Sequence, residues 1–478
     1  MKKTKIVTSI FALFVGATIA QGEDTIVNIT SPVKDFNAVP LGTSTSGKLV
    51  VNVNGTESDT PYTVAGTLNL NAGNDVFTDN WNGSSLVDSS ADAITLNVNS
   101  GTIQTTISGQ KNKGTSIYGN VVQNINGGTL GYGTQRTADC NVISGMGTYG
   151  VTDSPIVIYG NNTLNIGSNS ANATQPTIYG YVTTQQGAII KGDTYLNMMG
   201  GTLTSQPNTY TNLYAGPNYK GVVEGNVYLN ISGGTIEQSA HGGGVGGANA
   251  GTVLGSINVT INGGTITGNV FGGYSGTGNA NGVNVTLVGD GSNINIGGFI
   301  SGGNRGTTDC TALGTKTLYV GNSNQAFISA QDQTFDAKQF DNIAVSSGSS
   351  IVFDNLEIYN TTTISLETPQ MALFAVNAST DQMKINNLSI VFTDGDFTTG
   401  DVLNDSNVAS FGIVLSAMNE GDTIKLVNVD SQSQEKTEYY ATLRSSGIEV
   451  GIAVPEPSTY AIIFGAIALG FVAYRRRK

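Results

Sequence analysis

Charged side chains are scarce in this 478-residue chain: Asp, Glu, Lys and Arg make up 12% of it, about half the share of an average globular protein. There is one histidine and one tryptophan, with two cysteines and ten prolines. A single histidine excludes a multi-histidine zinc centre within one chain. It also leaves any charge-relay hydrolase dependent on His241. No body segment shows a helical period, which argues against a helical bundle or a doubly wound enzyme.

Positive charge is scarce outside the two ends. Lys2, Lys3 and Lys5 open the chain, and Arg475, Arg476, Arg477 and Lys478 close it; setting these aside takes the net charge from −13 to −20. Such a body repels a phosphate backbone, so nucleic acid is excluded as a partner. What the chain has in excess is glycine, 64 residues, with Asn, Thr and Ser in place of charged loops. That profile fits a long secreted β-structure of short strands and tight turns.

Similar strings recur along the body: LNVNSGTI at 96–103, QNINGGTL at 123–130, LNMMGGTL at 196–203, LNISGGTI at 229–236 and VTINGGTI at 259–266. A degenerate copy, NTLNIGSNS at 162–170, divides the longest gap, and the unit is about 27–33 residues, a solenoid period. A second string recurs in what reads as the same phase: SIYG at 116, VIYG at 157, TIYG at 177, NLYAG at 212 and VFGG at 270. In VYLNISGGTI, Val227, Leu229 and Ile231 alternate with Tyr228 and Asn230, which is strand periodicity. Ser232-Gly233-Gly234 then supplies a turn with positive backbone angles, and Ile236 resumes the buried row. A strand cannot bury such a row alone. The expected fold is therefore all-β, a parallel β-solenoid (β-helix) with two or three short strands per coil.

Composition divides the chain. Residues 96–325 hold 47 glycines and form the Gly-rich repeat solenoid, whereas residues 331–450 hold 6, with 17 acids against 5 bases. Residues 326–450 read as an acidic β-rich module and residues 21–95 as an N-terminal β cap or first coils. Residues 1–20 read as a signal peptide: a basic start, an apolar run through SIFALFVGATIA, and cleavage after Ala20, or after Gly22 with Ala20 at the minus-three position. Residues 454–478 read VPEPSTYAIIFGAIALGFVAYRRRK, in which Tyr460–Tyr474 is an apolar segment expected to form a membrane helix. At about 22 Å it is short for a hydrocarbon core of about 30 Å, as suits a transient span. The terminal cations place that end in the cytoplasm.

The order VPEPST, apolar helix, RRRK resembles the PEP-CTERM sorting signal of exported proteins in Gram-negative bacteria. The resemblance implies recognition of Pro455, Glu456 and Pro457 by exosortase, a membrane protease-transpeptidase. It also implies a cytoplasmic stop at Arg475, Arg476 and Arg477, after Sec-dependent export and a transient inner-membrane anchor. It covers about 25 residues and concerns destination alone. The body repeats resemble those of autotransporter-type adhesins; the outer-membrane barrel of those proteins is missing, and the sorting tail stands in its place.

Catalytic motifs are weak. His241 opens HGGGVGG, which looks like an esterase oxyanion loop, but the partner pattern Gly-x-Ser-x-Gly is absent from the chain; His241 is expected in a loop. GTSTSGK at 42–48 nears a phosphate loop, but Leu49 stands where Ser or Thr is needed and a strand follows. Cys140 and Cys310 recur in similar contexts about six coils apart, too far to bridge in a regular stack. Arg136 with Asp139, and Arg305 with Asp309, are the best candidates for the rival reading, a secreted β-helix polysaccharide lyase or glycoside hydrolase. NAGNDVF at 71–77 and GDGSN at 289–293 look like fragments of calcium turns. No catalytic residue, metal site or cofactor is assigned. The expectation is a non-enzymatic structural or adhesive protein of the cell envelope or extracellular matrix. A polysaccharide or matrix ligand would meet coil faces rich in Asn, Thr and Tyr.

Overall fold

The computed structural model describes the strand Lys5–Val7 and most of residues 24–452. The longer intervals outside this description are 8–23, 56–62, 77–82, 132–140, 147–154, 206–210, 245–249, 275–278, 304–312, 367–372, 377–387, 394–401, 404–412, 416–420 and 453–478. The described chain is all-β. Its described helical residues are a single 3-10 turn, Gly291–Asn293, capped by the Asp290 carboxylate, and Leu313.

Parallel pairing dominates. On a first face, Thr25–Ile29, Leu49–Asn54, Asp92–Ser100, Asn120–Ile125, Asn162–Ile166, Thr194–Met198, Val227–Ile236, Ser256–Ile266, Gly282–Leu287 and Thr315–Val320 lie side by side in sequence order. That is the succession expected when coils of a β-solenoid stack. The alternation in sequence becomes alternation in space: Val227, Leu229 and Ile231 are buried, while Tyr228 and Asn230 face outward. Successive coils measure 24 to 45 residues between equivalent positions, a wider range than the repeats suggest. The longest coils also contain stretches outside the description, between Asn52 and Asn97 and between Asn124 and Asn165.

In the Ser232-Gly233-Gly234 turn the positive angle falls on Gly234 and not on Ser232 or Gly233. Gly101, Gly128, Gly201, Gly234 and Gly264 all have positive φ, between +82° and +96°. They turn the chain from the first face to a second, where Ile103, Leu130, Leu203, Ile236 and Ile266 are buried. Asn162–Ile166 pairs with the strands before and after it, which makes the degenerate copy a full coil.

The coils between Asp92 and Val223 carry four strands each, not two or three, whereas the coil from Val227 to Val253 carries three, its first strand running on through the Gly234 turn. A third face contains Tyr181–Gln185, Leu213–Tyr214, Ala240–His241, Val270–Phe271 and Phe299–Ser301. A fourth contains Ser116–Ile117, Val157–Ile158, Ile189–Ile190, Val222–Val223 and Thr252–Val253. The second string is therefore not in one phase. SIYG and VIYG lie on the fourth face, TIYG on the second, and NLYAG and VFGG on the third. Strands of two or three residues are too short to show a period, so similar apolar triplets look equivalent wherever they fall.

Parallel stacking crosses residue 326 without reversal: Phe335–Val345, Ser350–Leu366, Leu388–Thr393 and Thr423–Val429 follow in turn. The direction then changes. Lys436–Arg444 and Gly447–Ile452 add as an antiparallel hairpin, and Val402–Leu403 pairs on its outer edge. Among the described residues no helix is long and apolar enough to cross a membrane. The expected helix at Tyr460–Tyr474 lies outside them, as do Ala20, the Pro455-Glu456-Pro457 motif and Arg475, Arg476 and Arg477.

Candidate ligand-binding face and side-chain ladders

The outward side of the first face carries a continuous column of asparagines. Asn28, Asn52, Asn97, Asn124, Asn165, Asn197 and Asn230 occupy equivalent positions on successive coils. Each Nδ2 from Asn52 onward donates to the Oδ1 of the asparagine before it, at 2.7–2.9 Å. The column passes to Thr260 and Thr286 beyond Asn230. A shorter column, Asn54, Asn99 and Asn126, runs beside it. Parallel in-register stacking is what allows this, because identical side chains then meet at the coil repeat of about 4.8 Å.

The corner between the fourth and first faces is built on similar terms. The backbone amides of Asn161, Asp193, Asn226 and Ser256 each donate to the side-chain oxygen of Asn120, Asn161, Asp193 and Asn226 respectively, at 2.7–2.9 Å. A glycine precedes each corner residue, and Gly160, Gly192, Gly225 and Gly255 all pack against the corner of the coil before. The opposite corner repeats the device through Asn212, Ser239, Asn269 and the amide of Phe299.

Tyr195 and Tyr228 stand next to the asparagine column. Their rings are 4.8 Å apart and 6° from parallel, and the Tyr195 hydroxyl donates to Asp193 Oδ2 at 3.0 Å. Burial, with the Asp193 hydrogen bond second, pushes the Tyr195 phenol up to about 12. Each of the two stacked rings therefore turns one face to the other. From Ile26 to Thr317 the two outer columns of this face hold no charged residue, so a neutral strip crosses an acidic molecule.

His241 is not in a loop. It lies in the strand Ala240–His241, wholly buried, stacked on Tyr214 at 4.6 Å and on Phe271 at 4.7 Å. HGGG packs in register with FGGY of the next coil: a Cβ on Gly242 would lie 2.6 Å from Ile257 Cγ2, and one on Gly243 2.6 Å from the Tyr274 nitrogen. Gly242 and Gly243 are therefore pressed against the next coil rather than around a space for an oxyanion. Sequence reading missed this because five glycines in seven residues look like a loop until the next coil is laid beside them.

Arg136, Asp139, Cys140, Arg305, Asp309 and Cys310 lie outside the described residues. Lys48 of the GTSTSGK string pairs with Asp92 at 3.3 Å, and Leu49–Asn54 is a strand. Asp290 of GDGSN accepts the Ser292 amide at 2.9 Å, which holds its carboxyl below the usual range. Among the described residues no group of three or more His, Cys, Asp or Glu could hold a metal ion.

No protein-family model matches the chain, and no curated protein or solved structure matches it either.

Proposed function

We propose that the protein is an exported, surface-sorted, non-enzymatic structural or adhesive β-solenoid of a Gram-negative cell envelope or extracellular matrix. The observation that carries the reading is the seven-asparagine ladder on the first face. It lies where a binding protein would expose varied side chains, yet it repeats one residue and bonds it along the axis. Each hydrogen bond contributes a net of about 0.5–1.5 kcal/mol, so the ladder stiffens a rod. One amide N–H and part of one carbonyl per coil stay free to meet a polysaccharide or matrix ligand.

Export and sorting rest on the two ends. Sec-dependent export with cleavage after Ala20 removes the leader; exosortase acts at Pro455, Glu456 and Pro457 while the apolar segment holds the chain in the inner membrane, with Arg475, Arg476 and Arg477 inside. The test compares cells carrying the whole protein with cells carrying it without residues 96–325. Lost adhesion or matrix retention supports the reading; retention of both overturns it.

A further inference from the structure

The first described strand of the solenoid, Thr25–Ile29, has a neighbour on each edge. Leu49–Asn54 of the next coil is one; Lys5–Val7 is the other, in parallel register with Lys5 opposite Thr25 and Val7 opposite Val27. Lys5–Val7 belongs to the leader that the export reading removes after Ala20, and this inference rests on that reading. Hydrogen-bond direction decides what removal leaves. The Thr25 amide donates to the Lys48 carbonyl at 2.8 Å, so positions 25, 27 and 29 turn their backbone groups toward the next coil. Ile26 and Asn28 therefore turn theirs toward the edge that Lys5–Val7 now fills. Val27, Ile29 and Val39 are 5%, 3% and 2% exposed, so this coil already has an apolar interior. At the far end the hairpin Lys436–Ile452 closes the first face with antiparallel strands of the same chain.

We propose that the processed protein pairs head to head with a second copy of itself through Thr25–Ile29. The two strands run antiparallel about a two-fold axis at Val27. This register is the one the backbone permits: Ile26 of each copy faces Asn28 of the other, and these are the residues with free N–H and C=O groups. Val27 faces Val27, and Thr25 faces Ile29, as non-hydrogen-bonded pairs. The side chains agree, because outward Ile26 meets outward Asn28 while Val27 and Ile29 stay inward, joining the two apolar interiors. A strand edge opened by processing is an association surface unless something covers it, and a self-complementary edge gives a closed two-fold dimer rather than a fibre.

The experiment takes the exported protein as purified from the cell surface, determines its first residue, and measures its mass in solution by light scattering. A leader-free dimer is expected. Ile26→Pro removes an edge amide that does not serve the next coil, and Ile26→Lys combined with Asn28→Lys sets like charges opposite one another. Both variants should be monomeric with an unchanged circular dichroism spectrum. A leader-free monomer, or a dimer indifferent to both variants, overturns the inference alone. A surface protein that keeps residues 1–20 overturns the export reading and the inference together.

Discussion

Asn197 and Asn230 hold equivalent places on neighbouring coils, and Asn230 Nδ2 donates to Asn197 Oδ1 at 2.8 Å. Asn197 in turn donates to Asn165 at 2.7 Å. Asn197→Ala removes both bonds from a half-exposed position, where water can meet the released groups. Urea denaturation should show a loss of about 1–3 kcal/mol, two bonds at the usual net value. An unchanged midpoint would show that the ladder contributes nothing to stability.

Gly234 and Gly348 separate backbone angle from packing. Both have positive φ, +82° and +75°. A Cβ on Gly348 meets nothing within 4 Å, whereas one on Gly234 lies 2.7 Å from the Gly201 carbonyl oxygen. Gly348→Ala should cost about 1–2 kcal/mol for the left-handed conformation alone. Gly234→Ala should cost clearly more, because backbone of the preceding coil must shift. Equal losses in thermal denaturation would contradict the stacking of these turns.

The stack of Tyr214, His241 and Phe271 predicts what position 241 tolerates. His241→Phe keeps a flat ring between two rings and should cost less than about 1.5 kcal/mol. His241→Ala opens a cavity in a packed interior and should cost about 2–5 kcal/mol. A catalytic or ligand-binding histidine would behave oppositely, with function lost in both variants and stability in neither.

Tyr195 supplies a pH dependence. Its folded-state phenol is raised from 10 to about 12, mainly by burial and then by the hydrogen bond to Asp193. Its stabilising contribution is fully present below pH 10 and is lost as the pH rises through about 12. A difference titration of the protein against Tyr195→Phe should place this phenol near 12. Asp193→Asn should bring it only part of the way back, because burial is the larger cause. An ordinary titration near 10 in the unaltered protein would contradict the described environment.

Much of the first face was legible because long strands carry a period. Val227, Leu229 and Ile231 announce their side of the sheet, and Gly234 announces its turn. The asparagine ladder left a signal too: Asn97, Asn124, Asn197 and Asn230 each precede a turn glycine by four residues, although the intervals along the column Asn97, Asn124, Asn165, Asn197 and Asn230 run from 27 to 41 residues. Its meaning appears only when coils are set in register, since one asparagine on an outward position is merely polar. The third and fourth faces were illegible for a different reason. Ala240–His241 and Val270–Phe271 are two-residue strands, held by their neighbours above and below rather than by a pattern of their own.

The intact mass of the protein recovered from the surface of unbroken cells tests the account most directly. The expected form is smaller than the 49.4 kDa chain, beginning after Ala20 and ending near Pro455-Glu456-Pro457. Recovery of the whole chain, or its confinement to the cytoplasm, would contradict the account.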